Sequence, residues 1–284
     1  MWTSTAVSSG LLIAGVLAIS SQPPYSASSK TIQGGSDRLC VVSLNVAKET
    51  DPAKIQKDLS GGPCETVDIF LLQEVVTAAG DRSVADQVGK RLGYTVAFST
   101  PAGVYNQGLA ILSRFPLAES EVIPLKAFNL KFHTRKRFTL SAIAHTSAGD
   151  LRLWNVHLDT RINPAERLDQ LEPVLRLAAE TGGPALIGGD LNTTRFHWLA
   201  NVIPYPWMES HAAAVRGAMA TIGFETPFAD DTTTFPFLKQ HLDWLFVRNI
   251  RTEDSGTFPT HYSDHQAIWA TLQVQQPDSS PVSN

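Results

Sequence analysis

Short apolar runs that break off on a polar residue constrain this chain more than anything else in it. Arg38 to Val46 (RLCVVSLNV), Val67 to Val75 (VDIFLLQEV) and Ala185 to Asp190 (ALIGGD) each read as a buried strand, with Asn, Glu or Asp where it ends. Between the first two, Asp51 to Leu59 has Asp at the N-cap, Pro at the first helical position and apolar Ile55 and Leu59; Gly61 and Gly62 then stop the helix. Strand, helix, strand predicts a parallel pair with a right-handed crossover, which brings Asn45 and Glu74 together at the carboxyl ends of neighbouring strands. Open α/β sheets bind ligands at that edge.

Asp81 to Leu92 carries apolar residues at helical spacing, with Gly93 as its C-cap. Strands are then expected at Tyr94 to Ser99, Gly108 to Ser113, Ala118 to Leu125, Arg137 to Thr146 and Asp150 to Leu158. Their succession without long helices predicts antiparallel pairing, and Ser147 to Asp150 (SAGD) is a hairpin turn. Pro164 to Glu180 is the longest helix, with Leu168, Leu171, Val174, Leu175 and Ala178 inward and Pro173 predicting a kink. His241 to Val247 and Gln266 to Val274 are expected as the last two strands. No internal repeat and no linker divides the body.

The two ends stand apart from it. Residues 1–30 read as an export segment: the apolar run Leu11 to Ile19 precedes a polar, turn-prone stretch, and it falls short of the roughly 20 apolar residues that span a bilayer. No Lys or Arg precedes the run, the first basic residue being Lys30, so a disordered cytoplasmic tail is the alternative. Cleavage fits after Ser20 or near Ala27 to Ser28. Residues 275–284 hold two prolines and several serines without periodicity and read as a loose tail. The domain is therefore expected over residues 38–274, exported to a periplasm or secreted, and monomeric.

Net charge is -4, which removes any argument that bulk positive charge draws in a polyanion. Cys40 and Cys64 are the only cysteines. They are too few for a cysteine zinc site and enough for one bridge, with two buried thiols as the alternative.

Taken singly, the polar strand ends have plain explanations: Asn45 as a turn-former, Glu74 as a solvated terminus, Asp190 as a helix cap. Asn45, Glu74, His157, Asp190, Asn192, Asp243, Asp264 and His265 all fall at or near the ends of apolar runs in a chain otherwise sparse in charge. Burying those acids near one sheet edge would cost several kcal/mol unless a cation neutralised them. Carboxylate and amide oxygens suit Mg²⁺, Mn²⁺ or Ca²⁺ rather than zinc.

SLNV at Ser43 to Val46, LLQEV at Leu71 to Val75, GLAILSRFP at Gly108 to Pro116 and WNVHLD at Trp154 to Asp159 are followed by IGGDLNT at Ile187 to Thr193, LDWLFV at Leu242 to Val247 and SDH at Ser263 to His265. In this order the chain resembles the endonuclease/exonuclease/phosphatase superfamily, the deoxyribonuclease-I-like metal-dependent phosphoesterases. The resemblance implies a four-layer α/β sandwich, two mixed β-sheets face to face with helices outside. It implies that Glu74 binds the metal, with Asn45 beside it and Asp264 as a further ligand. Asp190 would act on the attacking water or a second metal, and Asn192 would donate to a phosphate oxygen. His265 would be the central imidazole, oriented by Asp243, with His157 on the opposite side of the phosphate.

The substrate implied is a phosphoester, with nucleic acid favoured over a phospholipid or inositol phosphate; a non-catalytic binding protein on the same scaffold is the reading from another class. Lys131, His133, Arg135, Lys136 and Arg137 form a basic cluster that would hold a polyanion, or else a solvated loop and strand start. Phe128, Phe132, Phe138, Trp198, Tyr205 and Trp207 are candidates for stacking on a base, entering a lipid surface or packing in the core. Arg195 to Pro206, directly after GGDLNT, is expected to border the cleft.

Overall fold

Strands β1 (Arg38–Asn45) and β2 (Ile69–Val75) run side by side and parallel, with Asn45 opposite Gln73. The structure, a computed structural model, describes residues 38–77, 82–101, 107–130, 136–206 and 210–274. The expected export segment, the C-terminal tail, Asp81, Lys131, Phe132, His133, Arg135 and Trp207 lie outside the described residues. Helix α1 (Pro52–Leu59) makes the crossover, and the Asp51 side chain caps it by accepting from Ala53 N–H. Both faces of β1 are buried because alternate side chains enter different cores. Val41 joins the core between the sheets, while Val42 and Leu44 pack with Ile55 and Leu59 of α1.

Helix α2 (Val84–Leu92) starts on a Ser83 capping box and ends on Gly93 in the left-handed conformation. Strands β3 (Thr95–Ser99), β4 (Gly108–Ser113), β12 (Ile250–Phe258) and β13 (Ala267–Val274) complete a six-stranded sheet in the order β12-β13-β1-β2-β4-β3. The facing sheet has β5 (Leu117–Pro124), β6 (Phe138–Thr146), β7 (Gly149–His157), β8 (Ala185–Asp190) and β11 (Asp243–Arg248), in the order β11-β8-β7-β6-β5. The SAGD turn closes the β6–β7 hairpin, and α3 (Pro164–Glu180) crosses from β7 to a parallel β8. Helix α3 continues through Pro173, with Leu171, Val174 and Ala178 buried and Leu168 and Leu175 partly so. Two mixed sheets flanked by helices make the expected α/β sandwich.

Two polar side chains tie the sheets together beneath the edge that carries Asn45 and Glu74. Asn155 of β7 donates to Leu72 O and Ala110 O, both at 2.9 Å, and accepts from Gln73 Nε2 at 2.8 Å. These bonds set the height of β7 against β2, and so the positions of His157 and Glu74 just beyond them. Two glycines then let β8 pass. A Cβ on Gly188 would stand 2.5 Å from Leu245 Cδ2, and one on Gly189, whose φ is 133°, would stand 2.0 Å from Val156 O.

Several elements were not expected. Strand β12 lies between the two strands expected to be last; its polar sequence IRTEDSGTF lacks a buried alternation because it is a sheet edge. Strands β9 (Phe196–Leu199) and β10 (Ile203–Pro206) form a separate hairpin, and helix α4 (His211–Thr221) packs on α3 through His211, Val215 and Met219. Arg137 is a correction of another kind. It is buried, and its Nε donates to Asp159 at 2.9 Å, so it offers nothing to a polyanion.

Candidate active site

The parallel pair delivers Asn45 and Glu74 to one edge of the first sheet, and β7 and β8 deliver His157 and Asp190, mutually opposite in register, to the same end of the second. Asn45, Glu74, His157, Asp190, Asn192, Asp264 and His265 line one cavity of about 580 Å³. Asp243, the remaining expected residue, stands behind His265 and is fully buried.

Asp190 is the centre of the hydrogen-bonding array. Its Oδ2 accepts from Asn45 Nδ2 at 3.0 Å and lies 3.4 Å from His157 Nε2 and 3.9 Å from His265 Nε2; its Oδ1 accepts from the Asn192 N–H at 3.0 Å. Behind it, Asp243 Oδ2 lies 2.7 Å from His265 Nδ1, which fixes the imidazole with Nε2 towards the cavity. Asn192 spends one amide hydrogen on Leu158 O at 2.9 Å, leaving the second for a ligand.

Burial and the neighbouring Asp243 carboxylate push the Asp190 carboxyl up to about 7, against the opposing pull of His265, Asn45 and the Asn192 N–H. For His265, burial disfavours the charge, yet Asp243, Asp190 and Asp264 outweigh it and raise the imidazole to about 10. The surroundings thus make the Asp190 carboxylate more basic than a free one and favour the charged form of His265.

The loop that carries Asp264 and His265 is held at several points. Ser263 Oγ donates to Asn45 O at 2.5 Å and accepts from the His265 N–H, while Thr260 Oγ1 donates to His265 O. From α1, Asp58 accepts the backbone N–H groups of His261 and Tyr262. Thr234 Oγ1 accepts from Leu242 N and Asp243 N, at 2.9 and 3.1 Å. Arg167 of α3, fully buried, donates to Ile162 O, Asp159 O and Leu191 O, so it grips the segments after His157 and Asp190. Sequence reasoning missed these supports. A charged Arg167 one turn into an apolar helix face was the one available signal.

The donor set fits a divalent cation. Carboxylates of Glu74 and Asp264 and the amide of Asn45 meet in one cavity, and Glu74 already holds a cation, with Lys48 Nζ 3.1 Å from its Oε2. A second group, Asp190, Asp243 and His265, brings ligand-type atoms within 4.8 Å of one another, but the charge favoured on His265 and its bond to Asp243 make it a proton-handling array rather than the cation's holder. Ala47, Lys48, Glu74 and Asn192 all have left-handed backbone, with φ of 48°, 63°, 54° and 50°. Such strain, of order 1 kcal/mol each, persists where the surroundings over-determine a functional site.

An α/β sandwich with an Asp–His–Asp array and hard-oxygen donors at one end of its sheets defines a class, the phosphoester hydrolases of the deoxyribonuclease-I type. The sequence profile described as the Endonuclease/Exonuclease/phosphatase family matches residues 42–265, and the chain belongs to that family. Members of the family are divalent-metal-dependent hydrolases of phosphoesters. A search of curated protein sequences finds no match. Among solved structures, the chain is similar to an endonuclease/exonuclease/phosphatase from Beutenbergia cavernae, with TM-score 0.66, 18% identity and 84% of this chain covering 72% of that one. It is also similar to D. rerio TDP2 complexed with single strand DNA product, with TM-score 0.59, 18% identity and coverage of 84% and 99%. The human Nocturnin catalytic domain with bound sulfate anion gives TM-score 0.60, 16% identity and coverage of 84% and 94%. At these identities the likeness is one of fold.

Proposed function

We propose that the chain is an exported, divalent-metal-dependent phosphodiesterase. The observation that carries this reading is the Asp243–His265–Asp190 array facing the cavity, flanked by Asn45, His157 and Asn192. Asp190, pushed up to about 7, is basic enough to take a proton from water at neutral pH. His265, held charged by Asp243, presents Nε2–H to a phosphoryl or leaving oxygen. His157 and the second amide hydrogen of Asn192 orient the phosphate. A divalent cation held by Glu74, Asp264 and Asn45 would supply positive charge against the negative charge that builds up on the phosphorus oxygens.

Export is supported by the Cys40–Cys64 disulfide, since such bridges persist in oxidising compartments, and by the apolar run at Leu11 to Ile19. In this reading residues 1–30 are a signal and flexible start, residues 38–274 the catalytic domain and residues 275–284 a loose tail. Nucleic acid as substrate has the DNA complex of the D. rerio protein as its support. A lipid phosphodiester is favoured by a different observation, the exposed Phe237 and Leu238 on the turn Pro236–Leu238, of which Leu238 lines the cavity.

The test is to incubate purified protein with plasmid DNA, RNA, sphingomyelin and phosphoinositides in Mg²⁺, Mn²⁺ or chelator. Cleavage that chelator abolishes is expected, and His265→Ala and Asp190→Ala should each lower turnover at least about 100-fold with the circular dichroism unchanged. No cleavage of any substrate would favour a binding protein on this scaffold. Near-native turnover in either variant would remove these two residues from the chemistry.

A further inference from the structure

Asp58 occupies a place that local preference would not give an acid. It is the penultimate residue of α1, where the negative end of the helix dipole opposes a carboxylate, and it is only 3% exposed. Each condition alone disfavours the charge, so a segment distant in sequence must hold it there. That segment is the loop before Asp264. Asp58 Oδ1 accepts the His261 N–H at 2.7 Å, with His261 Nδ1 3.0 Å away, and its Oδ2 accepts the Tyr262 N–H at 3.1 Å. Lys54, one turn earlier in α1, places its ammonium 5.0 Å from the centre of the Tyr262 ring. A residue that breaks the preferences of its own helix while meeting three contacts from another segment serves that segment.

The loop in turn decides where Asp264 stands. Of the three donors assigned to the cation, Asn45 is held by bonds to Asp190 and to the Ala47 N–H, and Glu74 is paired with Lys48. The Asp264 carboxylate is exposed and makes no hydrogen bond among the described residues. Its position is therefore inherited from its backbone. Two residues before it the chain is fastened to α1 by Asp58, and one residue before it Ser263 Oγ is fastened to Asn45 O. Asp58 does not line the cavity, and neither does any other residue of α1.

We infer that Asp58 is a positioning residue for the metal corner: through His261 and Tyr262 it holds the loop where Asp264 meets the cation alongside Asn45 and Glu74. The inference rests on the ligand set of the proposed function. It makes α1, which supplies nothing to the cavity, a determinant of metal affinity, and by linkage a bound cation strengthens the hold of the loop on α1.

The test titrates Mn²⁺ into the chelator-stripped full chain without substrate and reads the free ion by electron paramagnetic resonance. Asp58→Asn keeps the shape and one acceptor oxygen but turns an amide donor towards a backbone N–H. Asp51→Ala removes the cap of the same helix and so weakens α1 without touching the loop. Asp58→Asn should bind Mn²⁺ about tenfold more weakly, and Asp51→Ala should bind like the native protein although its melting temperature falls. The rise in melting temperature that Mn²⁺ produces should shrink in the first and persist in the second. His261→Ala, at an exposed position, removes one of the three contacts and reads the same link should Asp58→Asn not fold; a loss of about threefold is expected. Native affinity in Asp58→Asn, or in His261→Ala where Asp58→Asn does not fold, overturns the inference. So does an Asp51→Ala protein that loses as much affinity as Asp58→Asn, since affinity would then follow the stability of the helix and not the place of the loop. Asp264→Asn separates the inference from the reading beneath it. If that variant keeps native affinity, or the native protein binds no Mn²⁺, the ligand set fails and the inference with it; if it weakens binding while Asp58→Asn does not, the inference alone fails.

Discussion

Lys48 and Glu74 show how much one pair of side chains can say about the site. Both have left-handed backbone, and the Lys48 ammonium lies 3.1 Å from the carboxylate that the family resemblance assigns to the metal. A cation and a lysine cannot both use that oxygen without repulsion, so metal entry must displace Lys48. Lys48→Met should therefore tighten Mn²⁺ binding several-fold, a modest gain because the lysine is partly solvated. Titration of the free ion by electron paramagnetic resonance reads it without any substrate, and unchanged or weaker affinity would rule the competition out. Glu74 itself was legible because Glu after the apolar LLQ makes no sense as a buried strand centre. Lys48 was not: nothing in the local pattern distinguishes it from Lys54, which pairs with Glu49, or from the exposed Lys57, and only the turn after β1 brings it to Glu74.

At the scale of elements, the junction of α3 and α4 holds the second half of the site. Arg167 grips the backbone after His157 and Asp190, and its Nε donates to His211 Nδ1 at 3.1 Å, at the first turn of α4. Burial, then the charges of Arg167 and His197, push His211 down to about 3, so folding excludes its proton. A depressed pKa contributes stability that is complete above the unfolded value of 6.5 and is lost as pH falls towards 3. Protonation also removes the acceptor that Arg167 uses. In metal-free protein the melting temperature should fall with pH across that window, and His211→Gln, whose carbonyl accepts without titrating, should take about one proton from the slope. Equal slopes would mean that other groups govern acid unfolding. Most elements were legible from caps and periodicity; the hairpin β9–β10, the edge strand β12 and α4 were not, α4 because its inward stripe is a histidine, a valine and a methionine spaced among alanines.

Across the whole molecule, the chemistry is at one end of the sheets and the Cys40–Cys64 bridge at the other, anchoring the start of β1 to the loop before β2. The bridge closes a segment with a sequence separation of 24, which confers about 3 kcal/mol by restricting the unfolded chain. Cys40→Ser/Cys64→Ser should lower urea stability by that amount with the active-site geometry intact. A midpoint equal to that of the native protein would show the bridge to be incidental, and two thiols reactive in unfolded, unreduced protein would show it absent. Two cysteines were visible from the start, but the bridge depended on the loop between Gly62 and Val67 turning back on β1.

The sequence by itself determined the class of fold and the polar residues around which the chemistry is built, because strand ends, helix caps and hydrophobic periods are local and each leaves a local mark. The tertiary structure alone decided what those residues face. Arg137 became a buried partner of Asp159 instead of a polyanion contact, Lys48 a counter-ion, and Phe196, Trp198 and Phe235 walls of one cavity. Those outcomes depend on which segments, distant in sequence, two packed sheets bring to the same edge, and no short window of the chain contains that information.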